Sequence, residues 1–467
     1  MLNQIKTIHF IGICGTAMAS VAVAMKKRGF NISGSDQNVY PPMSNFLQQN
    51  GINIMNGYNE SNLSHNPDLV IVGNSVSRGN PEVEALLNNK LNYCSLPELI
   101  KFFFLPGKRS IVVCGTHGKT TTTSIITWIL KTAGFNPSYL IGGIPLNLGS
   151  GAEFTNSQWF VLEGDEYDTA FFDKRSKFIH YRPEIVVANN LEFDHADIFD
   201  NIQQIQTSFR RLFNIVPSRG LILANGDDPN LTPLLDNLFT PTKTFGLQKH
   251  CCFRATDIQY QTESTSFIVE KNFFNLPLIG EFNVRNALAA IACAMHLNIP
   301  TEIIQQAIKT FKGVKRRSEV LGTFGGRIII DDFGHHPTAI TATIQSLRIK
   351  YPEARIIVAF EPRSNTMRRN IFQEQIARSL ATADAAVIAS VNRADALSPE
   401  VRLDVEKLAQ DIQRLGKNAV HLPTVDEIIN WIILQSRIGD VVCIFSNGSF
   451  GNIYQKLISE LSTNKTN

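Results

Sequence analysis

What the chain lacks first is an excess of charge of either sign. Its 467 residues carry 44 Lys and Arg against 41 Asp and Glu, a formal net charge of +3. That balance excludes the basic footprint of a nucleic-acid binder. The basic runs that do occur (Lys26-Lys27-Arg28, Lys315-Arg316-Arg317, Arg368-Arg369) are short and read as solvated faces. Cysteine is sparse too: seven residues, an odd number, with no C-x-x-C pair. A zinc ribbon and a disulfide framework are thereby set aside, and a reduced, cytoplasmic compartment is expected. There is no internal repeat, no low-complexity segment and no run long and apolar enough to span a bilayer. Residues 8–25 come nearest to a targeting segment, being almost uncharged, preceded by Lys6 and containing Ala-x-Ala. Two glycines break that run at a strand-to-helix spacing, so it reads as folded structure rather than as a leader.

What is there is alternation. At this length roughly two to four domains are expected, and apolar strands alternate with helices throughout, the pattern of a parallel, doubly wound sheet in each unit. The first unit runs to about residue 106. In it "TIHFIGICGTAM" reads as strand, glycine turn and helix start, and "FNISGSD" (30–36) as a second strand ending in Asp36. The spacing resembles a dinucleotide fingerprint with Gly12 and Gly15 in the turn, although Cys14 stands where the middle glycine belongs. A Pro-Gly break, "LPGKRS" (105–110), opens a middle unit expected over 107–313, with a β-rich insert at about 250–280 and two helices after it. The third unit, 314–467, is expected to begin its sheet at "GRIIIDDF" (326–333).

The stretch "IVVCGTHGKTTTTS" (111–124) is an apolar strand, a glycine loop, a Lys and a helix opening in threonines. A phosphate-cradling loop of the form G-x-x-x-x-G-K-[ST] would need its first glycine at position 113, which is Val113; the glycine present is Gly115. The chemistry survives the shortening. Backbone N–H groups at a helix N-terminus face an anion, Lys119 supplies the cation, and Thr120 offers a hydroxyl to Mg²⁺. Two further strands should end beside this loop. "WFVLEGDEYD" (159–168) closes on Glu163, Asp165, Glu166 and Asp168, and "EIVVANNLEFDHADIFD" (184–200) on Asn189, Asn190, Asp194 and His195. Ligands bind at the carboxyl ends of strands in such sheets, so both clusters are expected on one edge with the loop.

Together "GTHGKTTTTS", "EGDEYD", "NNLEFDHADIF", "GEFNVRNALAA", "KRRSEV" and "DDFGHHPTAI" resemble the Mur ligases, the ATP-dependent amide-forming enzymes of peptidoglycan assembly. The shortened loop is that superfamily's own version. The resemblance implies three α/β domains: an N-terminal Rossmann-like domain, a central P-loop ATPase domain with a small β insert, and a C-terminal Rossmann-like domain. It implies that ATP is held by Gly115, Thr116, His117, Gly118, Lys119, Thr120 and Thr121. Asn286, with Asn283 nearby, would read the adenine, and Asp332 would contact the ribose. Thr120 and Glu163 would ligate one Mg²⁺, His195 a second, and Arg316 would reach the phosphates. Gly12, Gly15, Ser35 and Asp36 would line a UDP-sugar pocket.

Many relatives support the second metal with a carbamylated lysine downstream of the histidine, but no Lys occurs from Ala196 to Pro217. That departure points to the branch whose acceptor is UDP-N-acetylmuramate. Within it, "YPPMSNFL" (40–47), "GNSVSRGNP" (73–81), "AFFDKRSKFIHYRP" (170–183) and "EPRSNTMRR" (361–369) resemble the members that attach the tripeptide L-alanyl-γ-D-glutamyl-meso-diaminopimelate. The peptide's three carboxylates call for cationic anchors, for which Arg363 and Arg175 are the candidates, with Lys174, Lys177 and Arg368 beside them. An L-alanine-adding ligase is the nearest rival. Folylpolyglutamate synthase, an NAD-dependent oxidoreductase and a non-enzymatic ATP-binding regulator are weaker ones. A monomer or weak dimer acting on small molecules is expected, with no membrane insertion.

Overall fold

The computed structural model describes residues 5–37, 39 and 43–463. Tyr40, Pro41 and Pro42, from one of the stretches above, lie outside the described residues. The chain divides into two compact units. One holds the residues up to Glu192 with Asn201–Arg254 and Asn286–Phe311. The other holds Phe193–Asp200, Ala255–Arg285 and the residues from Lys312 on. Two segments that chain order places in the middle of the protein, 193–200 and 255–285, thus group with the C-terminal residues.

The first unit contains two large sheets and a two-stranded antiparallel ribbon, Asp168–Ala170 with Asp173–Ser176. In the N-terminal one, Thr7–Ile11 is central, with Asn31–Asp36 and Asn53–Asn56 to one side and Leu69–Val72 and Tyr93–Ser95 to the other. All neighbours are parallel. Phe10, Ile11, Val70, Ile71 and Val72 are buried, as a sheet covered on both faces requires. The winding reverses beside Thr7–Ile11, the point at which such sheets open a crevice for ligands.

In the second sheet Arg109–Cys114 lies between Trp159–Glu163 and Pro183–Ala188. Ser138–Leu140 extends one side; Leu221–Asn225 and Thr242–Gly246 extend the other, all parallel. The register pairs Val113 with Glu163 and Cys114 with Ala188. Gly115, Glu163 and Asn189 therefore leave the sheet at one edge. The helix Lys119–Thr132 that follows opens with Thr120, Thr121, Thr122 and Thr123, all buried. Four β-branched residues are poor helix formers. Thr123 satisfies its buried hydroxyl on the preceding turn, donating to the Lys119 carbonyl (2.7 Å), as Thr127 does one turn on at the Thr123 carbonyl (2.7 Å), whereas Thr120 and Thr122 donate outside the helix.

The second unit has a six-stranded sheet in the order Glu319–Phe324, Arg327–Asp332, Val441–Phe445, Ile356–Phe360, Ala385–Ala389, Asn418–Leu422. Its first pair is antiparallel and the rest are parallel. Sequence patterning misses Glu319–Phe324, because its register slips between Val320 and Gly322 and alternation is lost on an edge strand. Residues 255–276 of this unit form the antiparallel insert, in which Ala255–Tyr260 pairs with Thr265–Val269, and that strand with Asn272–Leu276.

Candidate active site

The shortened loop works because two glycines take conformations other residues avoid, and a neighbouring strand end fills the space beside them. Gly115 has φ +139°, and Gly118, which caps the helix, has φ +75°. A Cβ on Gly118 would run into Asn286 and Asn189, and one on Gly115 would lie 3.0 Å from the Asn190 backbone. Asn190 braces the loop from below: its Oδ1 accepts the His117 N–H (2.7 Å) and its carbonyl the Thr116 N–H (3.2 Å). Asn189 Nδ2 donates to Thr122 Oγ1 (2.9 Å), which donates in turn to Asn286 Oδ1 (3.3 Å). Asn286 Nδ2 and Asn189 Oδ1 are buried with no hydrogen-bond partner among the described residues. Both asparagines border Gly118.

Lys119 Nζ donates to the Gly115 carbonyl (2.7 Å) and to Glu166 (2.9 Å), with Asp165 at 4.0 Å. Burial opposes the ammonium, but Glu166 and then Asp165 outweigh it and raise its pKa above the usual lysine value. Thr120 Oγ1 donates to Glu163 Oε1 (2.8 Å), whose second oxygen accepts the Gly142 N–H (2.6 Å). Burial first, and Asp165 second, hold the Glu163 carboxyl above its ordinary range. Hydroxyl and carboxylate oxygens side by side are the donors Mg²⁺ takes, and a cation there would relieve the buried charge of Glu163. These residues fit the ion. Glu166 and Gly142 are additions to the expected set. Glu166 was visible in "EGDEYD" as one acid among four, whereas Gly142 had no signal.

The remaining expected residues fall into three groups. In the N-terminal sheet, Gly12 (φ +84°) turns the chain out of its strand, and Gly15 starts the helix Thr16–Lys27. Asp36 Oδ2 accepts the Cys14 N–H (3.0 Å) at this turn. Ser35 departs from expectation. Its side chain is fully buried and donates to Glu82 Oε2 (2.5 Å), while its carbonyl accepts the Gly12 N–H (2.8 Å). It shapes the glycine turn from beneath instead of presenting a hydroxyl at the rim, because strand alternation turns Ser35 to the face opposite Asp36.

The cationic loop also differs from expectation. Arg175 is locked onto Asp173 by two hydrogen bonds (2.8 and 2.7 Å), and Lys174 pairs with Asp168 (2.5 Å). Asp173, two residues before Arg175 on the same strand, and Asp168, across the hairpin from Lys174, thus neutralise the charge that was expected to meet a ligand.

In the second unit, His195 takes a left-handed conformation (φ +54°), with its N–H on Asp194 Oδ1 (2.7 Å). Asp194 also accepts Thr366 Oγ1 (2.6 Å) and lies 3.8 Å from His335 Nε2. Burial opposes its charge, yet His195 and His335 outweigh that and hold the carboxyl far below its ordinary range. Thr366 and His335 were not foreseen as site residues, although "NTM" and "HHP" contain them. Arg316 (φ +59°) pairs with Asp331 (3.1 Å) and donates to the Ser446 carbonyl (2.7 Å). Asp332 is buried and accepts the Ser318 N–H (2.7 Å) and the Gly334 N–H (2.7 Å). Asn283 Nδ2 is spent on the Ile279 carbonyl (2.9 Å). Arg363 lies across Gly448, where a Cβ would leave it no room, 3.4 Å from Glu361.

Comparison with known proteins matches three domains along most of the chain. Residues 7–104 match the model described as the Mur ligase family catalytic domain, 113–294 the Mur ligase middle domain and 316–448 the Mur ligase glutamate ligase domain. The chain is 40% identical to the UDP-N-acetylmuramate–L-alanyl-γ-D-glutamyl-meso-2,6-diaminoheptandioate ligase of Haemophilus influenzae, covering 98% of this chain and 99% of that one. Identity to the Escherichia coli protein of the same name is also 40%, over 97% and 98%. A UDP-N-acetylmuramate–L-alanine ligase from a Psychrobacter species is 32% identical over 98% of this chain and 95% of its own length. Among solved structures, a murein peptide ligase from Psychrobacter arcticus superposes with a TM-score of 0.75 at 35% identity, covering 97% and 98% of the two chains. The fold is shared further with the UDP-N-acetylmuramate–alanine ligase of Thermotoga maritima, at a TM-score of 0.80 and 23% identity over 98% and 100%. Full-length identity at this level, with three domain matches in order, means that the chain belongs to the Mur ligase family.

Proposed function

We propose that this protein joins the tripeptide L-alanyl-γ-D-glutamyl-meso-diaminopimelate to UDP-N-acetylmuramate at the expense of ATP, in the recycling of peptidoglycan. One observation carries the choice of amine. Identity is 40% to two ligases named for the tripeptide and 31–32% to those named for alanine, all covered over at least 94% of this chain. Among the described residues no helix is long and apolar enough to cross a membrane, and the nucleotide substrates go with a cytoplasmic location.

A carboxylate resists attack by an amine because its charge repels the nucleophile and it lacks a leaving group. In this reading the muramate carboxylate attacks the γ-phosphorus of ATP and releases ADP. The resulting acyl phosphate is attacked by the L-alanyl amine, an amide forms, and phosphate leaves with the C–O bond electrons. The protein's part is to position the reactants and neutralise charge. Lys119 exchanges Glu166 for the β- and γ-phosphates, and the backbone of Gly115–Gly118 with Thr121 behind it completes the cradle. Thr120 and Glu163 would hold Mg²⁺, which when bound supplies charge neutralisation at the phosphates. His195 is the candidate for a second ion and Arg316 for the transferred phosphoryl group. Asn286 reads the base, with Asn283 as its structural neighbour, and Asp332 shapes the ribose side. Gly12, Gly15 and Asp36 take the UDP-sugar, with Ser35 beneath them. Residues 1–106, 107–313 and 314–467 are accordingly assigned to UDP-sugar, ATP and peptide. Arg363 is the peptide carboxylate's anchor. Arg175 serves only by giving up Asp173.

The reading is tested with UDP-N-acetylmuramate labelled with ¹⁸O in its carboxylate. One labelled oxygen should appear in the inorganic phosphate for every amide formed. Phosphate without label would remove the acyl-phosphate step.

A further inference from the structure

The loop Phe193–Asp200 leaves a strand of the first unit and returns to a helix of it, yet it groups with the C-terminal residues. Several specific hydrogen bonds tie it to them. Thr366 is 2% exposed, and its single hydroxyl does two things: it donates to Asp194 Oδ1 (2.6 Å) and accepts the Ala196 N–H (3.3 Å). It thereby fixes the residues on both sides of His195. Asn365 Nδ2 donates to Asp197 Oδ2 (2.6 Å), and His336 Nε2 lies 3.2 Å from the Phe193 carbonyl. His195 itself has φ +54°, a conformation that a non-glycine residue keeps only when its surroundings enforce it. The far side of the same segment carries the arginines. Arg368 Nη2 donates to Asn365 Oδ1 (2.6 Å), and Arg363 lies two residues before Asn365.

We propose that Asn365 and Thr366 are positioning residues for His195, and that an anionic peptide bound at the Arg363–Arg368 segment steadies the His195 loop through them. The first half needs no ligand; the second rests on the reading of this segment as the peptide's site. The arrangement would hold the His195 loop more firmly when the amine substrate is present, so that phosphoryl transfer is favoured with a nucleophile in place. Neither residue touches the reacting atoms.

The experiment is hydrogen exchange on the full chain, without ligand and then with the tripeptide. Thr366→Val removes the bridging hydroxyl, and Asn365→Ala, at an exposed position, cannot cost the fold. Losing a hydrogen bond of this kind should speed exchange at Asp194–Asp197 by about tenfold. Exchange in the strand Ile356–Phe360 should stay unchanged, and Thr366→Ser should restore the parent rate. Tripeptide should slow exchange at Asp194–Asp197 in the parent and leave it unaltered in Thr366→Val. Parent-like exchange in both variants without ligand would overturn the positioning role. If tripeptide drives ADP release but leaves exchange in the loop untouched, the coupling is wrong. If tripeptide drives no ADP release at all, it is the substrate reading that fails, and the ligand-free result stands by itself.

Discussion

Lys119 and Glu166 form a buried ion pair in the absence of nucleotide, and its energetics follow from where the two charges sit. The Glu166 side chain is 2% exposed and that of Lys119 11%, with 2.9 Å between them. Replacing Lys119 by Met keeps most of the volume but leaves the Glu166 carboxylate in a dry site without its cation. Removing one partner of such a pair costs about 3–5 kcal/mol. For a domain of this size that lowers the calorimetric midpoint by about 10 °C. In Lys119→Met/Glu166→Gln no charge is stranded, so most of the loss should return. ADP release behaves differently, because both variants lack the phosphate-binding cation and both should fall by on the order of 10²–10³. Scanning calorimetry of parent, single and double variants, each without nucleotide, decides the matter. Equal midpoints for the two variants would mean that Glu166 is not stranded by the loss of Lys119 and would refute the argument.

Three further outcomes are expected. Glu163 is held above its ordinary value of 4.5 by burial and then by Asp165, so the folded state carries its charge at a cost that grows as pH rises through the folded-state pKa. Glu163→Gln should therefore be at least as stable as the parent at pH 8, lose that advantage below pH 4.5 and be inactive; a variant less stable at pH 8 contradicts the sign. Glu82, fully buried, accepts from Ser35 Oγ (2.5 Å), Asn62 Nδ2 (2.5 Å) and the Asn59 N–H (3.3 Å). Glu82→Leu should cost about 3–5 kcal/mol in urea unfolding, and a loss under about 1 kcal/mol would show that these donors find other partners. Arg363→Ala should raise the KM for tripeptide at least tenfold while leaving ATP binding intact, and an unchanged KM would remove Arg363 from the peptide site.

Backbone requirements were the legible part of this sequence. Gly115, Gly118 and Gly12 stand where the chain needs positive φ, and a glycine is the simplest record a sequence keeps of that need. Lys119, Thr120 and Glu163 were legible because parallel strands deliver their carboxyl ends to one edge, and the register confirms that edge. Side-chain direction and pairing were less so. Ser35 sits one residue from Asp36, but on the opposite face of the strand, against a glutamate 47 positions further on. Arg175 belonged to a run of cations whose counter-charges are Asp173, two residues before it on the same strand, and, for Lys174, Asp168, which a hairpin turn brings in. Absent from any local pattern, too, is the tie between Asp194 and Thr366, 172 residues apart. Hydrophobic periodicity reports which face of an element is covered, not which distant hydroxyl meets a carboxylate.

The central claim is the identity of the amine, and it is tested most directly by ADP release from Mg²⁺-ATP and UDP-N-acetylmuramate with either the tripeptide or L-alanine supplied. Strong turnover with tripeptide and little with L-alanine is the predicted result. Turnover with L-alanine alone would contradict it, and with it the place given to Arg363.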